Sequence, residues 1–273
     1  MQFAFVVSSG LGYQIPNLYQ TEDSFEEFRQ ALKCLKENGF DGVELNLHFD
    51  NQRLLTTITD FISDSGLKLA AVGTGLLYGR ENLSFASPNQ KKRAKAILIV
   101  TRLLNFASKF KAPLIIGSVR GEADTNNGLT RLRDSMIALN SAANRYGARI
   151  ALEAINRYET KLLNSASEVS AFIQNHKLDS TGILLDTFHM NIEEQSIEET
   201  INTFRSKLVH FHIADSNRWP PSYGHLKLEE ILRQLANLGY GGWVSVESLP
   251  KPNSVEAVKA TAKFLRSYSL MQP

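Results

Sequence analysis

The sequence predicts an α/β fold of the (β/α)8 type, a TIM barrel, as one domain over residues 1–273. Three observations carry this reading. Short apolar runs alternate eight times with longer stretches of helical spacing. The runs are continuously apolar and rich in β-branched residues, as suits a parallel sheet covered on both faces. The chain, 273 residues long, is close to the usual size of one such barrel. With eight repeats and no low-complexity stretch or Pro/Gly linker, a closed barrel fits better than an open doubly wound sheet.

In chain order, residues 3–7 read as the first strand and 24–38 as its helix, stopped by Gly39 as a left-handed cap stops a helix. The second strand is 42–47, with a helix over 52–65 ended by Gly66. The third strand, 67–72, leads to a helix over 88–110 that is rich in Lys and Ala. Residues 113–116 form the fourth strand, and its helix, 129–146, stops at Gly147. Strands five to eight fall at 149–152, 182–185, 208–211 and 243–246, with helices at 165–175, 197–204, 228–238 and 254–267. The longest connections, 73–88, 117–128 and 213–226, all follow strands. In a barrel such loops crowd the C-terminal rim, where active sites sit.

Charge and cysteine usage narrow the function classes. A net charge of +2 is too small for a nucleic-acid footprint or a polybasic membrane patch. The single cysteine, Cys34, leaves no intrachain disulfide, and its helical setting in ALKCLKENGF reads as a small buried hydrophobe. The stretch MQFAFVVSSG lacks the basic lead-in of a signal peptide, and no apolar run approaches the roughly 18 residues that span a bilayer. A cytoplasmic protein is expected.

Four side chains then stand out. Glu153 ends RIALE, Asp186 ends GILLD, His212 ends LVHFH and Glu247 ends WVSVE. Each is about one strand–helix repeat from the next, so parallel strands bring all four to one rim. One acid at a strand end is ordinarily a helix cap or a salt-bridge partner. Four at the ends of consecutive strands need another explanation, because three converging carboxylates repel unless a cation joins them. Three oxygen donors and one imidazole suit a single Mn2+, Co2+ or Mg2+ better than zinc. Four ligands on an octahedral ion leave two positions, which the carbonyl and adjacent hydroxyl of a hydroxy-ketone can fill.

At these residues the sequence resembles the sugar isomerase/epimerase branch of the xylose-isomerase-like barrels, and within it the D-tagatose 3-epimerase (ketose 3-epimerase) group. ALEAINRYET (151–160), GILLDTFHMNIEE (182–194), VHFHIADSNRWPPSYGHL (209–226) and WVSVESLP (243–250) carry the resemblance, helped by 73–93 and IIGSVRGE (115–122). It implies that Glu153, Asp186, His212 and Glu247 bind one metal ion, usually Mn2+ or Co2+. It also implies that Glu153 and Glu247 are the catalytic pair on opposite faces of the substrate. Glu159, His189 and Arg218 match residues that contact substrate oxygens. The partner implied is a small-molecule ketose or keto-sugar acid, and such proteins often assemble as dimers or tetramers.

Two glutamates flanking a planar enediolate favour epimerisation, since an isomerase needs only one acceptor. The runner-up is an aldose–ketose isomerase of the hydroxypyruvate isomerase kind. A DNA-repair enzyme like endonuclease IV would need more histidine ligands, and strands three and four end in Val72-Gly73 and Ile116-Gly117. A sugar sensor without turnover would have no use for the intact glutamate pair. His210 is expected on the opposite side of its strand from His212, packed against a helix. Arg120 either meets a substrate carboxylate or pairs with a neighbouring acid such as Glu122.

Overall fold

The structure is a computed structural model that describes residues 1–122 and 127–270. Its strands are β1 (Gln2–Ser8), β2 (Tyr13–Gln14), β3 (Gly42–Asn46), β4 (Lys68–Gly73), β5 (Leu114–Ile116), β6 (Ile150–Glu153), β7 (Thr181–Asp186), β8 (Leu208–Ile213) and β9 (Trp243–Val246). They form one sheet in the order β2-β1-β3-β4-β5-β6-β7-β8-β9, and β1 also pairs with β9. Leaving aside the two-residue β2, this is a closed eight-stranded parallel barrel with surrounding helices, as the alternating pattern predicts.

Contacts divide the chain into two compact units. One comprises Met1–Leu45, Gln52–Ala70 and Phe211–Pro273. Within it, Phe5 of β1 is in register with Val43 of β3 on one side and Val246 of β9 on the other. The helix Glu22–Glu37 begins at Thr21, whose side chain accepts from the Ser24 amide, and its apolar face buries Phe28, Leu32 and Leu35. Gly39, at a φ of +86°, ends it.

The other unit comprises Asn46–Asn51 and Ala71–His210. Leu152 of β6 stands beside Ile183 of β7, and Glu153 beside Leu184. Ala71, Ile115, Ala151 and Leu184 form a buried cluster. Side chains alternate along a strand, so Ala151 and Leu184 share a face with Glu153 and Asp186, two residues further on. An apolar floor therefore lies below both acids.

Most element boundaries agree with the pattern to within a few residues, and the differences have local causes. The helix expected over 88–110 is Gln90–Ser108, because the Asn89 side chain accepts from the Lys91 and Lys92 amides and fixes its start. The rim loops hold short elements: the helix Leu76–Glu81, the 3-10 turn Ser118–Arg120 and the helix Thr187–Glu193. None is long enough to display a hydrophobic period. Residues 123–126 of the loop expected over 117–128 lie outside the described residues. Among the described residues no helix is long and apolar enough to cross a membrane.

Candidate functional site

Strand termini position the four candidate ligands. Glu153 is the last residue of β6 and Asp186 the last of β7, His212 is the penultimate residue of β8, and Glu247 follows β9. Ligand atoms of the four lie within 4.8 Å of one another. All are withdrawn from solvent, with Asp186 at 0% and Glu247, the most open, at 9% relative exposure. Three buried carboxylates this close need compensating positive charge. An oxygen-rich set with one imidazole fits a hard or borderline divalent ion.

Local geometry holds the acids. Asp186 caps the helix Thr187–Glu193, its Oδ1 accepting from the Phe188 amide at 2.7 Å. Gly117, just after β5, makes room for Glu153: a Cβ on it would stand 2.5 Å from Glu153 Oε2. Gly117→Ala is therefore expected to push the carboxylate aside and weaken divalent-metal binding by roughly 10-fold or more. Titration calorimetry on folded protein measures this, and an affinity within two-fold of the parent would sink the idea.

Asn156 organises the surroundings of Glu153. Its Oδ1 accepts from the Tyr158 amide at 3.0 Å, which orients the side-chain amide. Its Nδ2 then donates to Glu159 Oε1 at 3.1 Å and approaches His189 Nδ1 at 2.7 Å. His189 Nδ1 must accept, so its proton sits on Nε2, 3.7 Å from Glu153 Oε1. Of the expected substrate contacts, His189 thus stands against a candidate ligand. Glu159 lies on an exposed turn and joins the group through Asn156.

The third expected contact, Arg218, donates from its NH2 group to Glu247 Oε2 at 3.1 Å. A tight turn presents it. The Arg218 amide donates to the Asp215 carbonyl, the Asp215 amide to the Trp219 carbonyl, and Arg218 sits at a φ of +60°, uncommon for a residue with a side chain. The buried Asp215 secures the same loop, its Oδ1 accepting from the Ser216 and Leu226 amides. His212 meets Glu247 Oε2 through Nδ1 at 3.7 Å, and its Nε2 lies 3.1 Å from each carboxylate oxygen of Glu44.

Two readings of the sequence are corrected. His210 is not on the far side of its strand: a ring nitrogen lies within 4.8 Å of the ligand atoms of both Glu44 and His212. A side-chain period of two puts residues two apart on the same face. Arg120 is not paired with Glu122, and its side-chain donors are taken up by backbone carbonyls. It is fully buried, and its guanidinium donates to the carbonyls of Gly117, Leu162, Leu163, Ile116 and Glu153. Burial pulls it down to about 10, with the nearby Glu153 carboxylate acting in the opposite direction.

Asn156, Gly117 and Glu44 were not singled out by sequence reasoning. Glu44 did leave a signal, since an acid inside the apolar run GVELN is costly to bury without a partner. Asn156 and Gly117 left none, because their roles arise from contacts distant in sequence.

Comparison with known proteins agrees with this fold. The family model described as xylose isomerase-like TIM barrel matches residues 32–268. The D-psicose 3-epimerase of Ruminiclostridium cellulolyticum is 33% identical over 219 residues, 74% of each chain. The D-psicose 3-epimerase of Agrobacterium fabrum is 30% identical over 236 residues, 82% of this chain and 80% of that one. Among solved structures, that of D-psicose 3-epimerase with D-tagatose from Clostridium cellulolyticum H10 shares the fold at a TM-score of 0.75. It is 22% identical and covers 99% of both chains.

Proposed function

Because this chain belongs to the xylose isomerase-like TIM barrel family, we propose that it is an epimerase inverting the carbon beside the ketone, C3, of a free ketose or keto-sugar acid. The observation that carries the reading is the meeting of Glu153 and Glu247 in one buried four-residue group. Each has a different second neighbour, His189 for Glu153 and Arg218 for Glu247. Two acceptors are what inversion requires. Relatives named as D-psicose 3-epimerases support the same reaction.

In the proposed mechanism one glutamate takes the C3 proton. The electron pair left behind delocalises into the carbonyl as a planar cis-enediolate. The other glutamate, which enters the step protonated, gives its proton to the opposite face, the carbonyl re-forms, only the configuration at C3 has changed, and exchange with solvent resets the two carboxyl groups. Glu153, Asp186, His212 and Glu247 would hold one divalent ion, Mn2+ before Co2+ or Mg2+, which when bound supplies positive charge to polarise the carbonyl. His189, with its proton on Nε2, Arg218 and Glu159 are assigned to the substrate oxygens.

With Arg120 spent on backbone carbonyls, a substrate carboxylate loses its expected partner, which favours a neutral, unphosphorylated ketose over a keto-acid. We read the chain as one domain over residues 1–273. We take it to act in the cytoplasm as a homo-oligomer, a dimer or tetramer.

The test is proton exchange. Metal-loaded protein incubated with a panel of ketoses in D2O is expected to place deuterium at C3 and yield the C3 epimer. Absence of exchange across the panel overturns the proposal. An aldose product with deuterium at C2 would assign the site to aldose–ketose isomerisation instead.

A further inference from the structure

Behind His212, on the side away from Glu247, lies a carboxylate that the proposed reaction does not use. Glu44 projects from β3 and is 1% exposed, as is His212. Both of its carboxylate oxygens stand 3.1 Å from His212 Nε2. We infer that Glu44 is a positioning residue that holds His212 as the Nε2–H tautomer and so turns the Nδ1 lone pair toward the metal ligands. The inference rests on the four-residue metal site proposed above.

The chemistry of the ring leads to this assignment. A neutral imidazole carries one N–H and one lone pair. An ionised carboxylate only accepts, so beside Glu44 the proton belongs on Nε2. Nδ1 then has its lone pair directed to the side where Glu247 Oε2 lies 3.7 Å away. The opposite tautomer would set a lone pair against the Glu44 carboxylate and turn an N–H toward Glu247. A carboxylate behind a ligating histidine fixes its ring orientation and raises its basicity.

The same clustering has a competing reading. Glu44, His210 and His212 also bring ligand atoms within 4.8 Å of one another and could enclose a second ion. Two ions flanking His212 would each need one of its nitrogens. The ring would then have to lose its last N–H as an imidazolate, a loss that normally occurs far above neutral pH. One ion per chain, with the Nε2 proton retained against Glu44, avoids that step.

The test measures Mn2+ binding by electron paramagnetic resonance for the parent, Glu44→Gln and Glu44→Ala, with circular dichroism confirming folding. Long-range 1H–15N NMR reads the ring protonation in the Mg2+-loaded parent, with the His212 signals identified by their loss in His212→Asn. Glu44→Ala is expected to weaken Mn2+ binding 10- to 100-fold. Glu44→Gln, isosteric and still able to accept from Nε2, should lose less. The NMR is expected to show the proton on Nε2. Binding by both folded variants within two-fold of the parent, a proton on Nδ1, or two ions per parent chain would each overturn the inference. If Glu44→Ala does not fold, Glu44→Gln and the NMR decide. A parent that binds no divalent ion would sink the metal site itself, and the parent titration alone reveals that outcome.

Discussion

Glu153→Gln and Glu247→Gln are each expected to lower the epimerisation kcat by roughly 10³-fold or more, within the range that positioned acid–base groups contribute together with their help in holding the ion. Glutamine keeps the shape of the side chain but cannot take a proton. The two variants should also differ from one another in a diagnostic way. With one acceptor left, the enzyme can still remove and return a proton on one face. Each variant should therefore exchange C3–H of only one epimer with D2O, and the two should choose opposite epimers. Inversion requires both faces and should be lost in both. The measurement is NMR-detected exchange with each epimer separately, at saturating metal. A variant keeping more than about a tenth of the parent kcat would remove that glutamate from the mechanism. The double variant should be little worse than either single one, because residues acting as a unit do not contribute additively.

Arg120→Met is expected to cost stability rather than chemistry as its primary effect. The guanidinium serves carbonyls at the end of β5, at Glu153 and at Leu162 and Leu163 in the loop beyond β6. Methionine fills part of the volume and none of the hydrogen bonds. Five buried carbonyls at about 1 kcal/mol each, partly rescued by water entering the space, give a loss of roughly 4 kcal/mol. In a chain of this size that corresponds to a Tm lower by about 10 °C. Arg120→Lys should recover only part, since an ammonium has three donors and no planar fork. Chemical denaturation of the three proteins tests this. A loss below 1 kcal/mol for the methionine variant would mean that the carbonyls find other partners.

Arg120 also shows where the sequence stops being legible. A basic residue just after a strand, in GSVRGE, looks like a substrate anchor, and nothing local says otherwise. Its donors go to residues as far as 43 positions along the chain, which only the folded backbone brings near. The four candidate ligands were readable for the opposite reason. Each is fixed by a strand end, and a barrel collects strand ends on one rim whatever the loops do. The helix Gln90–Ser108 was legible from its length, and the Asn89 cap only trimmed it. His210 was misplaced by a parity error, since residues 210 and 212 must share a face. Asn156 could not be found from sequence, because its value lies in linking Glu159 to a histidine 33 positions away.

The pairing of β1 with β9 carries a consequence for how the molecule comes into being. Gln2 stands beside Trp243 and Phe5 beside Val246, so the seam joins residues nearly a whole chain apart. On a ribosome the first strand emerges long before β9 is synthesised, and until then the backbone groups of Gln2–Phe5 that face β9 lack that partner. An open strand edge invites pairing with other chains, and contacts of such sequence separation form slowly. The residue that completes the acid pair, Glu247, arrives with the same strand that closes the seam. The pair of glutamates proposed to work on opposite faces is therefore complete only once the strand that closes the seam has been made.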